Sequence, residues 1–435
     1  MKDLRFAVAA LLLTLLFAGG ASALTLEQAI ELGHQRSLQM QDPQIDRERI
    51  GGRIKEAWAN ALPDVSAQVA AQQYWRIPTV PVKFGGQTVL LQLNQKDNAL
   101  ASATLNQPLY TFGRVSSGLK AAYAARRSNA HLISSTDRSV SLDVMQRFWT
   151  VLLMREVVNA RQTSLAVSDS ALKRIQQMRA VGLMSDYDVL RAEVQAGNQI
   201  PALRQAENAL HLSELSLKEL LGVPMDTTLT VEGDLTGYTI PIAAEDSAKV
   251  LQRDDIEALR DLATMYRNLY IINRNSWMPI LGGQIQYARQ FAGSNWKMNS
   301  TNTPVSLYGG LALTIPIPSG KSLGLAQQAH ADWEGAELTL SKAERGALLQ
   351  FQNAVTSYQA ANASESAAEL AVQQAEQARR IAQTKLAQGQ ITTLEMNAAQ
   401  LDELVARVSL AQAKYDRLVA AAQARVAAGL PPYAK

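Results

Sequence analysis

The sequence predicts a mainly α-helical chain, built as an internal duplication, with two pairs of β-strands between its helices. Three observations lead there. Helix-breaking residues recur at one offset in the two halves of the chain. Long segments after Gly113 and Gly320 run without a proline, and short stretches of apolar–polar alternation precede each of them.

The first 23 residues read as an address. Lys2 and Arg5 precede an apolar run through Phe17, which ends in Ala21-Ser22-Ala23. A charged start, a short apolar core and an A-x-A ending describe a secretory signal cut after Ala23. The run is too short for a spanning helix, and without cysteine no lipid anchor is expected at the new N-terminus. Residues 24–62 are expected to be N-terminal helices, and 63–109 a first strand pair. Val65, Ala67, Val69 and Ala71, then Ala99, Ala101, Ala103 and Leu105, alternate around a loop at about Arg76–Asn98. Period two with one apolar face is the mark of a half-buried strand.

Residues 113–224 form a first helical hairpin. The segment from Arg114 to Val181 would reach about 100 Å as a helix, and Ser185–Leu221 about 55 Å. Gly222-Val223-Pro224 closes it, glycine past the last turn and then proline being a helix stop. Residues 225–255 read as an equatorial linker and 256–278 as the opening helix of a second copy. A second strand pair occupies 279–317. There Leu281, Gly283, Ile285, Tyr287 and Phe291, and later Val305, Leu307, Leu311, Leu313 and Ile315, share one face, with a loop at about Ala292–Pro304. Residues 320–431 repeat the hairpin: Lys321 to Gln388, then Thr392–Ala428, then Gly429-Leu430-Pro431. Gly182 matches Gly389, Gly222 matches Gly429 and Pro224 matches Pro431 without a gap. A repeat of this kind sets the whole architecture.

Inside the long helices, Gly324, Gly335, Gly346, Ser357 and Ala368 stand eleven residues apart, as do Ser117, Ser128, Ser139 and Thr150 in the first copy. Eleven residues make three turns, so such a row keeps to one helix face and predicts close packing of neighbours along it. Composition narrows function. The chain has no cysteine, a net charge of +3 and a pI near 8.9. Disulfides, thiol catalysis and thiolate metal sites are excluded, and no concentrated basic block supports a nucleic-acid partner. His34, His131, His211 and His330 are scattered without metal-ligand spacing. The methionines are dispersed, and no G-x-S-x-G or phosphate loop frames the serines. Neither an enzyme nor a cofactor or metal is expected.

Four strands cannot close a barrel, and an open edge cannot lie in lipid because its backbone groups would be unpaired. Strands that span a membrane must therefore be pooled between chains, and three chains supply twelve, an even number within the bacterial range. Trp75 and Trp296 lie near strand ends, where an aromatic girdle would place them.

At this point the residues match a known pattern. The chain resembles the TolC-like outer membrane efflux proteins over essentially its whole mature length. Leu24-Thr25-Leu26-Glu27-Gln28-Ala29 looks like that family's opening. Leu105-Asn106-Gln107-Pro108-Leu109, ending at Gly113-Arg114, resembles its strand-to-helix signature, repeated as Leu313-Thr314-Ile315-Pro316-Ile317 before Gly320. Val181-Gly182-Leu183 before Ser185 resembles its hairpin tip. The resemblance implies a homotrimer with a twelve-stranded barrel in the Gram-negative outer membrane and a periplasmic α-helical tunnel. It implies the passive exit duct of a tripartite efflux pump or of type I secretion, joined by a periplasmic adaptor (a membrane fusion protein) to an inner-membrane transporter. The competing reading is a periplasmic helical-hairpin adaptor, which normally lacks two amphipathic strand pairs.

The hairpin tips are the candidate site. Asp188 and Glu395 occupy the acidic-ring positions implied by the resemblance. In a trimer they would supply six carboxylates, favouring cations. Ser185-x-x-Asp188 and Thr392-x-x-Glu395 are equally capping boxes at helix starts. The family's second acid is replaced by Arg191 and Ala398. Val181, Gly182, Leu183, Met184, Gly389, Gln390 and Ile391 are candidates for adaptor docking, since an exposed apolar tip invites a partner. A local turn contact explains the same residues.

Overall fold

The computed structural model describes residues 24–92, 95–241, 247–294, 297–298 and 304–433; the expected signal segment and Trp296 lie outside them. The helices are α1 (Leu26–Arg36), α2 (Leu38–Ala59), α3 (Arg114–Ala180), α4 (Asp186–Leu220), α5 (Ser247–Val250), α6 (Asp254–Arg274), α7 (Gly320–Ala387) and α8 (Thr393–Ala427). The strands are β1 (Asp64–Gln73), β2 (Thr79–Phe84), β3 (Gln87–Gln92), β4 (Asp97–Tyr110), β5 (Ile280–Ser294), β6 (Lys297–Met298) and β7 (Val305–Thr314). No helix among the described residues is long and apolar enough to cross a membrane. The chain divides into two compact units, one of Met1–Ile45, His131–Glu257 and Ser341–Lys435, the other of Asp46–Ala130 and Ala258–Leu340.

In the first unit the helix stops follow from four glycines. Gly182, Gly222, Gly389 and Gly429 have φ of 76°, 61°, 69° and 80°, a region that side chains with a Cβ avoid. Behind each, the chain turns back to bond a carbonyl five residues earlier. Leu183 N–H donates to Met178 O at 2.9 Å, Val223 to Lys218 at 3.0 Å, Gln390 to Lys385 and Leu430 to Arg425 at 2.9 Å. These are the 6→1 bonds of the Schellman motif. The last turns of α4 and α8 also bury one cation each. The Lys218 ammonium donates to Met225 O at 3.2 Å, and the Arg425 guanidinium to Pro431 O and Pro241 O at 2.8 Å. Burial lowers the Arg425 pKa from its ordinary value.

The duplication extends beyond the hairpins. A Cβ on Gly222 would stand 3.2 Å from Arg36 O, and one on Gly429 3.1 Å from Arg253 Cγ. The end of α1 and the segment after α5 thus take the same place against the two copies. The core gathers Met145, Phe148, Trp149 and Leu152 of α3 with Leu217 of α4, Leu418 of α8 and Leu26 and Ala29 of α1. Tyr238 of the linker packs beside Trp149 at 6.1 Å, ring centre to ring centre.

The two hairpins are closed by different chemistry. In the first, Ile175, Val189 and Ala192 form an apolar cluster with Leu172 and Met184. In the second, Arg379 pairs with Glu403, Arg407 reaches Glu403 at 3.0 Å and Glu376 at 2.6 Å, and Arg417 pairs with Glu365. At the repeat offset Leu172 stands where Arg379 does, and Ala196 where Glu403 does.

In the second unit, β1, β4, β5 and β7 form one antiparallel sheet in that order, with β6 appended to β5. Pro108 lies at a register shift between β4 and β5, as expected of a residue with no N–H to donate to the ladder. After the strand, Phe112 and Gly113 both take positive φ, 47° and 82°, and Asn275 Nδ2 donates to Phe112 O at 3.0 Å. This turn re-aims the chain from β4 into α3. The loop expected at about Arg76–Asn98 is corrected: it contains a β-hairpin, β2 paired with β3, and β4 begins already at Asp97. The small-residue row differs between the copies. In the first copy Ser117 is buried, Ser128 Oγ donates to Ala258 O at 2.8 Å, and Thr150 Oγ1 lies 3.3 Å from Tyr415 Oη. In the second copy a Cβ on Gly324, Gly335 or Gly346 would meet nothing within 4 Å. In the first row Ser117, Ser128 and Thr150 pack within the chain and Ser139 is exposed, whereas the three glycines of the second row face open space.

Candidate functional site

Each tip is built by a glycine stop followed by a capping box. Ser185 Oγ accepts from Asp188 N–H at 3.2 Å, while Asp188 Oδ2 accepts from Ser185 N–H at 3.2 Å and from its hydroxyl at 2.6 Å. Thr392 Oγ1 accepts from Glu395 N–H at 3.3 Å, and Glu395 Oε2 accepts from Thr392 N–H at 2.8 Å and from its hydroxyl at 3.0 Å. Hydrogen bonds to the charged form favour it. The Ser185 hydroxyl and N–H hold the Asp188 carboxyl below its ordinary pKa, and the Thr392 N–H and hydroxyl do the same for Glu395. Both acids are therefore anionic at neutral pH, and both serve as caps. A salt bridge from Arg179 to Asp186 at 2.5 Å spans the first turn.

The docking candidates divide. Val181 and Leu183 are each 69% exposed, and Gly182, Gly389 and Gln390 are exposed as well. Met184 and Ile391 are half-buried. Met184 packs against the Ile175, Val189 and Ala192 cluster and so closes its own hairpin.

Sequence reading missed a cleft of about 290 Å³ between the two hairpins of this unit, near the tips. Met178 and Met184 from the first copy and Met396 from the second line it, with Ile175, Leu386 and Arg379. Methionines dispersed in sequence converge here because each stands within a turn or two of a tip. Their spacing alone carried no signal.

One constellation mimics a catalytic triad. His34 Nε2 lies 2.7 Å from Ser141 Oγ, and His34 Nδ1 3.4 Å from Asp137. Ser141 Oγ donates to Asp137 O at 2.8 Å, so its proton is already committed to the backbone one turn earlier. The cluster ties α1 to α3. A second tie joins α3 to the start of α6, where Asp254 accepts from His131 at 2.8 Å, from Ser134 Oγ at 2.8 Å and from Arg138.

The sheet is the second candidate site, because its pairing register sorts the side chains. Val65, Leu105, Ile285 and Gly309 lie in one cross-strand row, and Ala67, Ala103, Tyr287 and Leu307 in the next but one. The rows between hold Ser66, Thr104, Gln286 and Tyr308, then Gln68, Ser102, Ala288 and Ser306. Successive side chains alternate faces, so one face is mainly apolar across all four strands, interrupted by Arg289 in the row of Val69, Ala101 and Val305 and by Gln107, and the other is mostly polar. Tyr308 Oη donates to Gln286 Oε1 on the polar face. Every residue of β1 and of β7 is exposed, and no layer among the described residues covers either face there.

An exposed sheet with one mainly apolar face, in a chain that also carries duplicated long helical hairpins, has the two-faced pattern of a membrane β-sheet. The sequence model of the outer membrane efflux proteins matches residues 30–223 and 250–430. The chain belongs to the outer membrane efflux protein family, and its place is the outer membrane. Among solved structures it is similar to the outer membrane protein VceC from Vibrio cholerae, at 20% identity and a TM-score of 0.78 over 94% of this chain and 97% of that one. CusC aligns at 13% identity and a TM-score of 0.81 over 93% and 92%. The open state of the MtrE channel from Neisseria gonorrhoeae aligns at 16% identity and 0.78 over 93% and 89%. At such identities the likeness is one of fold. No curated protein sequence matches the chain.

Proposed function

We propose that three copies of this chain form the exit duct of an efflux pump, closing their sheets into one twelve-stranded barrel. The observation that carries the reading is the sheet itself. Its mainly apolar face, with Arg289 as the one cation in it, runs through β1, β4, β5 and β7 in register, its polar face backs it, and among the described residues β1 and β7 each pair on one side only. In hydrocarbon an unpaired strand edge costs several kcal/mol per group. Closing β7 of one copy on β1 of the next removes both edges. The apolar face then meets lipid and the polar face lines a water-filled lumen.

The helices support the same symmetry. The open glycine row of α7 corresponds to the α3 row that packs within the chain, so a neighbouring copy is the natural partner of the open one. The long helices, about 100 Å each, give the duct a periplasmic tunnel. In it Asp188 and Glu395 form an anionic ring that favours cations. The exposed Val181 and Leu183, with Gly182, Gly389, Gln390 and Ile391 beside them, receive a periplasmic adaptor. That adaptor joins the duct to an inner-membrane transporter, as part of an efflux pump or a type I secretion system. The duct itself performs no chemistry.

Mass measurement in detergent and conductance in a planar bilayer test the reading together. A trimer that conducts ions is expected, with cation preference reduced in the Asp188→Asn, Glu395→Gln double variant. A detergent-independent periplasmic monomer overturns the duct and favours an adaptor. Unchanged selectivity in the double variant leaves the two acids as caps alone.

A further inference from the structure

We infer that the β2–β3 hairpin packs against its counterparts from the other copies and narrows the outer mouth of the duct with an apolar ring. The inference rests on the trimer proposed above. Among the described residues β2 and β3 pair only with each other, in the register Val80↔Leu91, Val82↔Val89 and Phe84↔Gln87. Gly85 and Gly86, both at positive φ (58° and 84°), make the tight turn that such a hairpin needs. Val80, Val82 and Phe84 therefore share one face with Val89 and Leu91. That face is uncovered: Val82 is 39% exposed, Val89 47% and Phe84 81%. Thr79, Pro81, Lys83, Thr88, Leu90 and Gln92 make the other face.

A two-stranded sheet by itself is marginal in water, so something covers this face. Lipid is excluded, because both edges of a lone hairpin carry unpaired backbone groups that hydrocarbon does not tolerate. A second copy of the chain fits. The hairpin is inserted between β1, the free edge of the main sheet, and β4, and it leaves β1 at the end opposite the α2 connection. It thus emerges on the flank where the β7 strand of the next copy arrives, at the end of the barrel away from the helices. Three such faces turned toward one axis form an apolar constriction, of the kind that gates by dewetting.

The chain has no cysteine, so single cysteines report cleanly. Phe84→Cys is expected to form an intermolecular disulfide on mild oxidation of the trimer. Val82→Cys is expected to react with a water-soluble maleimide at least tenfold more slowly than Lys83→Cys on the opposite face. Val82→Asp with Leu91→Asp should at least double single-channel conductance. Mass in detergent is measured first. A monomer overturns both this inference and the duct. A trimer in which Val82→Cys and Lys83→Cys label equally, with no cross-link at Phe84→Cys, overturns this inference alone.

Discussion

Ser185 and Thr392 do two things at once: they end the exposed N–H groups of a helix start and they hold a carboxylate ionised. The Asp188 and Glu395 pKa values are depressed by these bonds. A depressed carboxylate contributes stability that is present in full above its unfolded pKa, about 4, and is lost as pH falls through the lower folded value. Backbone hydrogen exchange at Asp186–Val189 and Thr393–Met396 is therefore expected to be flat from pH 7 to about 5, after correction for intrinsic rates, and to lose protection below about pH 4. Ser185→Ala should remove about 1 kcal/mol from the first tip at neutral pH, read by the same exchange. Glycine positions separate two kinds of strain. A Cβ on Gly182 meets nothing within 4 Å, whereas one on Gly222 meets Arg36 O at 3.2 Å and Arg36 Cβ at 3.3 Å. Gly182→Ala is expected to cost only the positive-φ penalty, about 1 kcal/mol. Gly222→Ala should cost at least twice that in a thermal melt, because the backbone of Arg36 has to move as well.

At the scale of elements, two hairpins of one length and one set of caps are held by unlike contacts. Apolar burial closes α3 on α4 near the tip; the Arg379, Glu403, Arg407 and Glu376 cluster closes α7 on α8. Salt screens charges but leaves apolar burial intact or strengthens it. Raising the salt concentration to about 1 M, where the Debye length falls to about 3 Å, should loosen the second hairpin more than the first, whose Arg179–Asp186 and Arg147–Glu219 pairs are more exposed, read as hydrogen exchange along each. Glu403 is buried between two arginines, so Glu403→Gln leaves cations uncompensated. About 2 kcal/mol is expected, less than the 3–5 kcal/mol of a fully buried pair, because Arg407 keeps solvent access. The elements were largely legible beforehand. Proline-free runs, glycine stops and S/T-x-x-D/E caps are local signals, and they locate α3, α4, α7 and α8 within a few residues. The β2–β3 hairpin was read as a loop. Its Val80, Val82 and Phe84 alternate as strand residues do, but Pro81 and the surrounding polar loop masked the period.

On the scale of the whole molecule, the sheet makes the sharpest demand. Ala67 lies on the apolar face, in a row with Ala103, Tyr287 and Leu307, and is exposed in the single chain, and Gln68 beside it points to the polar face. In a lipid-facing strand, arginine at mid-depth costs about 2–4 kcal/mol, whereas lumen positions tolerate it. Ala67→Arg is expected to lower the amount of trimer recovered from outer membranes severalfold, and Gln68→Arg to leave it near normal. Equal recovery of the two would argue against the apolar face meeting lipid.

What the sequence determined by itself was local or periodic: where helices stop, that the chain is doubled, that four strands alternate, and that the tips carry capped acids. Each rests on backbone rules that act over a few residues, such as the positive φ of Gly182 and Gly389 or the period of two in β5. The tertiary structure decided what depends on partners far apart in the chain. It paired β4 with β5 across the two copies, packed the small-residue row of α3 while leaving that of α7 open, and gathered Met178, Met184 and Met396 into one cleft. It also turned Met184 inward, away from the face of the tip. Such contacts are set by register and by which helix lies alongside. Neither is written in the residues nearest to them, because a side chain's spacing along one helix says nothing of what stands across the gap.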